Sequence, residues 1–154
     1  NSVYSGIVTT MDVMPTIASY CQAKLPENRT LDGMDVSSLL SGKSKQKTER
    51  VFYYYQRNQL QAIRWGKWKY HHGLEQRLAS ATSDKLLPCE AQLYDLEKDI
   101  AESTNVLAEH PEIEKTMTKL IDQARQDIGD WQCEGKNVRP AGVIDEPFGR
   151  FLSK

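Results

Sequence analysis

VFYYYQRNQLQAIRWGKWKYHH, residues 51–72, reads as three consecutive antiparallel strands. Val51 to Tyr55 has the β-branched and aromatic composition of a strand. Polar Gln56 to Gln59 supplies a turn, Leu60 to Arg64 a second strand, and Trp65-Gly66-Lys67 another turn, with Gly66 free to take positive φ. Trp68 to His72 is the third strand. Because side chains alternate with a period of two, Trp68, Tyr70 and His72 share one face, and Lys69 and His71 share the other. The first face reads as core and the second as working surface.

Downstream, Gly73 to Glu90 reads as a long, irregular polar loop, of a length usually tied to function or disorder. Gln92 to Leu96 is a fourth short strand and Asp99 to Glu109 an acidic connector. Pro111 to Gly129 is the clearest helix. Pro111 suits the first helical position, and Glu112 and Glu114 suit the positive end of the dipole. Ile113, Met117, Leu120, Ile121, Ala124 and Ile128 form one apolar stripe, for which the Trp68/Tyr70 face is the obvious partner. Gly129 is placed to cap the helix, and Trp131 to Lys154 reads as extended chain on the surface. The fold class expected is α+β: a four-stranded antiparallel sheet packed by a C-terminal amphipathic helix.

Upstream, Lys43 to Arg50 is polar and basic and reads as a solvated linker. Val36 to Leu40 is a short helical turn closed by Gly42. Asn28-Arg29-Thr30 has the form of a glycosylation sequon. Gly6 to Ala23 reads mainly as a helix capped by Thr9 or Thr10, with Val13, Met14, Ile17, Ala18 and Cys21 on one apolar face.

The 154 residues fit one domain, or one domain and a piece of another. A charged fraction of 27%, an apolar fraction of 39% and a net charge of −1 fit a soluble globular protein, and they argue against nucleic acid as a partner. No apolar run approaches a membrane span. Asn1 to Tyr4 lacks the basic and apolar regions of a signal peptide. The chain opens on Asn1 and not on Met, so an excerpt from a longer chain is expected. Cys21, Cys89 and Cys133 show no zinc-ligand spacing; one disulfide or three free thiols both fit the count.

Four motifs in order resemble the C-terminal part of the type I, formylglycine-dependent sulfatases, the arylsulfatase-like family of the alkaline-phosphatase superfamily. They are Met11-Asp12-Val13-Met14-Pro15-Thr16-Ile17, then Leu31-Asp32-Gly33-Met34-Asp35 with Leu39-Leu40-Ser41-Gly42. Next comes Ala62-Ile63-Arg64-Trp65-Gly66-Lys67-Trp68-Lys69. Last is Leu93-Tyr94-Asp95-Leu96 with Asp99, Glu102, Asn105 and His110-Pro111. Ile100 stands where that family usually has proline. The resemblance implies that residues 1–45, with their helix, end the large α/β sulfatase domain. Residues 46–130 would then be the C-terminal subdomain, and 131–154 an extended tail.

The resemblance also implies a sulfuric ester hydrolase whose nucleophile, a formylglycine made within Cys/Ser-x-Pro-x-Arg, lies elsewhere. None of the three cysteines here begins that motif. No catalytic and no metal-ligating residue is therefore expected in this chain, which should be inactive alone; calcium and formylglycine belong to the missing catalytic domain. The partners implied are that domain of the same chain and a sulfated small molecule or glycan. Neither nucleic acid nor membrane is expected, and the compartment implied is extracytoplasmic. His71 matches a family histidine near the active-site mouth, and Lys69 shares its strand face. The two read either as substrate-binding residues on the pocket rim or as ordinary exposed strand residues. Arg64 reads as an edge residue pairing a carboxylate, Tyr53 to Tyr55 as sheet packing, and His110 as the cap before Pro111. The alternative is a stand-alone carbohydrate- or protein-binding module. In such a module the Val13/Ile17/Cys21 face would be buried within these residues; in a sulfatase piece it would be left uncovered.

Overall fold

The computed structural model describes residues 3–4, 6–44, 50–80 and 82–140. Residues 45–49 of the basic run and 141–154 of the tail lie outside them. The expected four strands form one antiparallel sheet in the order β1-β2-β3-β6: β1 Val51–Gln56, β2 Gln59–Trp65, β3 Trp68–His71 and β6 Gln92–Asp95. The first turn is tighter than expected. Gln56 pairs with Gln59, and Arg57 takes φ 57° to close a two-residue hairpin.

Helix α3, Pro111–Asp127, crosses one face of the sheet. Met117, Ile121 and Ala124 pack with Leu60, Ile63, Tyr70 and Leu93, with Trp68, Ile113 and Leu120 around them. The apolar stripe and the Trp68/Tyr70 face therefore meet as expected. Tyr53 and Tyr55 pack on the same core, and the Tyr55 hydroxyl donates to the Gly129 carbonyl at 2.6 Å. Gly129, at φ 90°, follows the helix cap at Ile128.

Leu60 and Ile63 are an odd number of residues apart, yet both face α3. The reason is a register shift: Tyr54 pairs with Ala62 but Tyr55 pairs with Leu60, leaving Gln61 as an extra residue on β2. The shift turns Gln61 and Ala62 together toward the opposite side, where both line a groove with Lys69 and His71.

The segment expected to be irregular is instead a hairpin, β4 Leu74–Ser80 with β5 Ser83–Cys89. It covers the second face of β2, whose residues Gln59 to Ile63 are all buried. Two glutamines make this possible. Gln59 Nε2 donates to the Gln76 carbonyl at 2.7 Å, and its Oε1 accepts from the Leu78 N–H at 2.8 Å. Gln61 Nε2 donates to the Leu78 carbonyl at 2.9 Å. Side-chain amides thus do what a neighbouring strand would do. A polar composition conceals this, because the partners are fifteen or more residues away in sequence.

The N-terminal helix is shorter than expected, α1 Val13–Tyr20 behind a 3-10 turn at Thr10–Asp12. Its inner side is polar. Thr16 Oγ1 accepts the Val36 N–H at 3.1 Å, and Asp12 accepts the N–H groups of Thr9 and Met34 at 2.7 and 2.9 Å. Arg50 was expected in a solvated linker; it is buried and closes a two-point ion pair on Asp12 at 2.6 and 2.7 Å. The loop after α1 lies so close that a Cβ on Gly33 would fall 1.9 Å from the Met11 carbonyl oxygen. Met34 leads into α2, Ser37–Leu40. The apolar side of α1 faces outward: Val13 is 54% and Ile17 56% exposed, and Cys21 is exposed. Residues 131–140 run over the surface, where Asn137 N–H bonds the Asp127 carbonyl and Arg139 pairs with Asp32 at 2.6 Å.

Candidate functional site

On the sheet face away from α3, β1, β2, β3 and β4 enclose a groove of about 420 Å³. Phe52 and Tyr54 line it from β1, Gln61 and Ala62 from β2, Lys69 and His71 from β3, and Arg77 from β4. Strand alternation places Lys69 and His71 here, opposite Tyr70.

The two expected site residues are brought together by a third, Glu102. Its carboxylate takes Lys69 Nζ at 2.5 Å on one oxygen and stands 3.0 Å from His71 Nε2 on the other. Sequence reasoning placed Glu102 in a motif but gave it no partner. The connector that carries it is a built loop. The Asp99 carboxylate accepts the N–H groups of Ser103 and Thr104, both at 2.8 Å. Asn105 Oδ1 accepts those of Leu93 and Leu107, both at 3.0 Å. The acidic and amide residues of 99–105 therefore fold the loop against β6 and present Glu102 to β3. The spacing Asp-x-x-Glu-x-x-Asn is the signal that could have pointed to it.

The groups in the groove constrain one another electrostatically. Burial lowers the pKa of His71, and Lys69 and Arg77 lower it further, against the opposing pull of Glu102, so the imidazole is neutral at pH 7. Burial raises Glu102, but hydrogen bonds from Lys69 and His71 outweigh that and hold it below its ordinary value. Lys69 Nζ also lies 4.9 Å over the Tyr54 ring, and the His71 ring meets Tyr94 edge-on at 5.9 Å. A neutral imidazole whose Nε2–H is held by a carboxylate keeps Nδ1 as an acceptor. The site can thus offer a cation, an imidazole and an aromatic face to a polar ligand.

The other candidates fall elsewhere. Arg64 Nε donates to the Gly66 carbonyl at 3.1 Å and not to a carboxylate, because its strand turns back immediately. His110 occupies the position before Pro111, where its carbonyl accepts from Ile113 and Glu114 and its ring lies against Trp68. His72 is buried with Nε2 at 2.6 Å from the Leu60 carbonyl. All three cysteines are free thiols. Among the described residues, no three His, Cys, Asp or Glu side chains gather as a metal site, and no helix is long and apolar enough to cross a membrane.

A family model described as the C-terminal region of aryl-sulfatase matches residues 47–143. Human arylsulfatase A is 35% identical over 117 residues, covering 66% of this chain and 22% of its own length. Arylsulfatase G of Rattus norvegicus is 28% identical over 141 residues, covering 84% of this chain and 27% of its own. The chain therefore spans about a quarter of these relatives. The solved PsFucS1 sulfatase of Pseudoalteromonas sp. shares the fold, with TM-score 0.63 and 21% identity over 79% of this chain and 26% of that one.

Proposed function

The chain belongs to the family of aryl-sulfatase C-terminal regions, and from that premise we propose that its parent is a sulfatase in which Lys69 and His71 form part of the substrate-pocket rim. Sulfate-ester hydrolysis needs negative charge stabilised at sulfur, the leaving group protonated and the rest of the substrate held in register. This chain supplies the last of these. The observation that carries the rim reading is the Glu102 bridge, which holds Lys69 and His71 side by side on the groove face. Two side chains fixed by one carboxylate are preorganised to meet a ligand without losing rotamer freedom on binding.

The residues present do not fit calcium or formylglycine. Among the described residues none cluster as ligands, and none of Cys21, Cys89 and Cys133 begins Cys-x-Pro-x-Arg. Both groups are assigned to the rest of the parent, and no step on this chain runs through them. The outward apolar side of α1 supports the same reading against a stand-alone module. A module would bury Val13 and Ile17 within itself, and both are more than half exposed. We assign that side, with residues 1–45, to packing in the catalytic domain of the same chain.

His71→Ala in the full-length parent tests the rim reading. Loss of one buried, charge-linked contact should lower kcat/KM for the native substrate roughly 5- to 150-fold, and less for a small aryl sulfate. Equal kinetics for the wild type and the variant on the native substrate would return His71 to the ordinary surface.

A further inference from the structure

Two cations line the groove, Lys69 and Arg77. Lys69 is matched to Glu102 at 2.5 Å; Arg77 is held differently. Its Nε donates to Gln61 Oε1 at 3.1 Å and its Nη1 to Cys89 Sγ at 3.3 Å, so both anchors are neutral. Among the described residues no carboxylate stands within ion-pairing distance of it. The anchors are themselves fixed. Gln61 is the extra residue of β2, buried and bonded to the Leu78 carbonyl, and Cys89 ends β5. Arg77 is therefore aimed into the groove by the hairpin, half-buried, with its charge unmatched. With His71 neutral, the groove holds two cations against one carboxylate. Phe52 and Tyr54 form an aromatic wall beside them, with ring centroids 5.0 Å apart. Half-burying an unmatched guanidinium is unfavourable unless an anion arrives to match it, and its planar fork suits a carboxylate or a sulfate equally.

We propose that the groove is a subsite for a second anionic group on the substrate, a carboxylate or a further sulfate, bound by Arg77 beyond the ester that is cleaved. This rests on the reading of the groove as pocket rim. Gln61 and Cys89 position the guanidinium, and Glu102 keeps Lys69 from competing for the same anion.

The test uses the full-length parent and two matched pairs of sulfated disaccharides. One pair is a uronate and its methyl ester; the other carries or lacks a second sulfate in place of the carboxylate. Wild-type kcat/KM should favour the member with the second anionic group roughly tenfold in at least one pair, with added salt eroding the preference. Which pair shows it distinguishes carboxylate from sulfate. Arg77→Gln should abolish the preference while leaving the members without the second anionic group within about twofold, and Arg77→Lys should keep part of it. If Arg77→Gln does not fold, as read from its melting curve, the salt dependence and Arg77→Lys carry the same test. Three results would overturn the proposal: no preference in the wild type, a preference undiminished in Arg77→Gln, or no turnover of any disaccharide by an enzyme that hydrolyses a small aryl sulfate. The His71→Ala arm separates the two readings. An effect there without an Arg77-dependent preference removes the subsite and leaves the rim; no effect in either variant removes the rim as well.

Discussion

At Glu102 the backbone takes φ 55°, a conformation that costs a non-glycine residue roughly 1–2 kcal/mol. The loop accepts it because the resulting carboxylate meets both Lys69 and His71. Since Glu102 favours the protonated imidazole, Glu102→Gln should move the His71 titration midpoint further down. Imidazole NMR of histidine-labelled full-length parent would show this, and an upward or absent shift would contradict the bridge. Asp12 is the second informative residue. Burial alone would raise its carboxyl, but the Arg50 hydrogen bonds, the N–H groups of Thr9 and Met34, and the Arg50 charge outweigh it and hold the pKa at about 2. The ordinary value is 3.8, so the unfolded chain binds the proton first as pH falls. The stabilisation, on the order of 2 kcal/mol, is complete above pH 3.8 and lost as pH falls toward 2. Arg50→Met alone should cost about 3–5 kcal/mol by stranding that carboxylate, and much less when combined with Asp12→Leu. Denaturant melts of the single and double variants check the difference.

At the scale of elements, α3 is held by apolar contact and the β4–β5 hairpin by amide hydrogen bonds. Ile121→Ala should cost about 2–5 kcal/mol, since Ile121 is buried against Leu60, Ile63 and Leu93. Leu120→Ala, at the margin of that core, should cost less. Gln59→Leu keeps the volume but leaves the Leu78 N–H and Gln76 carbonyl without partners. It should cost about 1–3 kcal/mol per orphaned group and speed amide exchange in Leu74–Ser80, while α3 stays protected. Uniform loosening of both elements would show that the hairpin is not separately held. His71 and His72 add a pH dependence of their own. Burial lowers both below the usual 6.5, so the unfolded state takes up protons first, and stability should decline as pH falls below about 6.5. Melting temperatures between pH 7.5 and 5.5, compared with those of His72→Gln, check the sign.

For the whole molecule, the arrangement is a groove on one side and an uncovered apolar helix side on another. Asp12–Arg50 ties the N-terminal segment to the start of the sheet, and Arg139–Asp32 ties it to the chain that follows α3. The 154 residues alone should hydrolyse no sulfate ester, because the nucleophile motif is not among them. An aryl-sulfate assay on the purified chain checks this; turnover above the blank, abolished by a substitution within these residues, would show the assignment wrong.

Local chemistry was sufficient for β1, β2, β3, β6 and α3, since alternation, turn residues and a 3.6-residue stripe each act within a few positions. It was also sufficient to put Lys69 and His71 on the same face. It did not reveal the hairpin, whose strands are polar because Gln59 and Gln61 replace apolar packing with hydrogen bonds. Nor did it pair Glu102 with β3, thirty-odd residues away, or Arg50 with Asp12. The helix stripe of residues 13–21 was correctly read as apolar, yet it faces outward, because periodicity reports a side chain's need for cover and not where that cover is. Ion pairs and long-range amide bonds depend on which segments the chain brings together, so only the tertiary structure decided them.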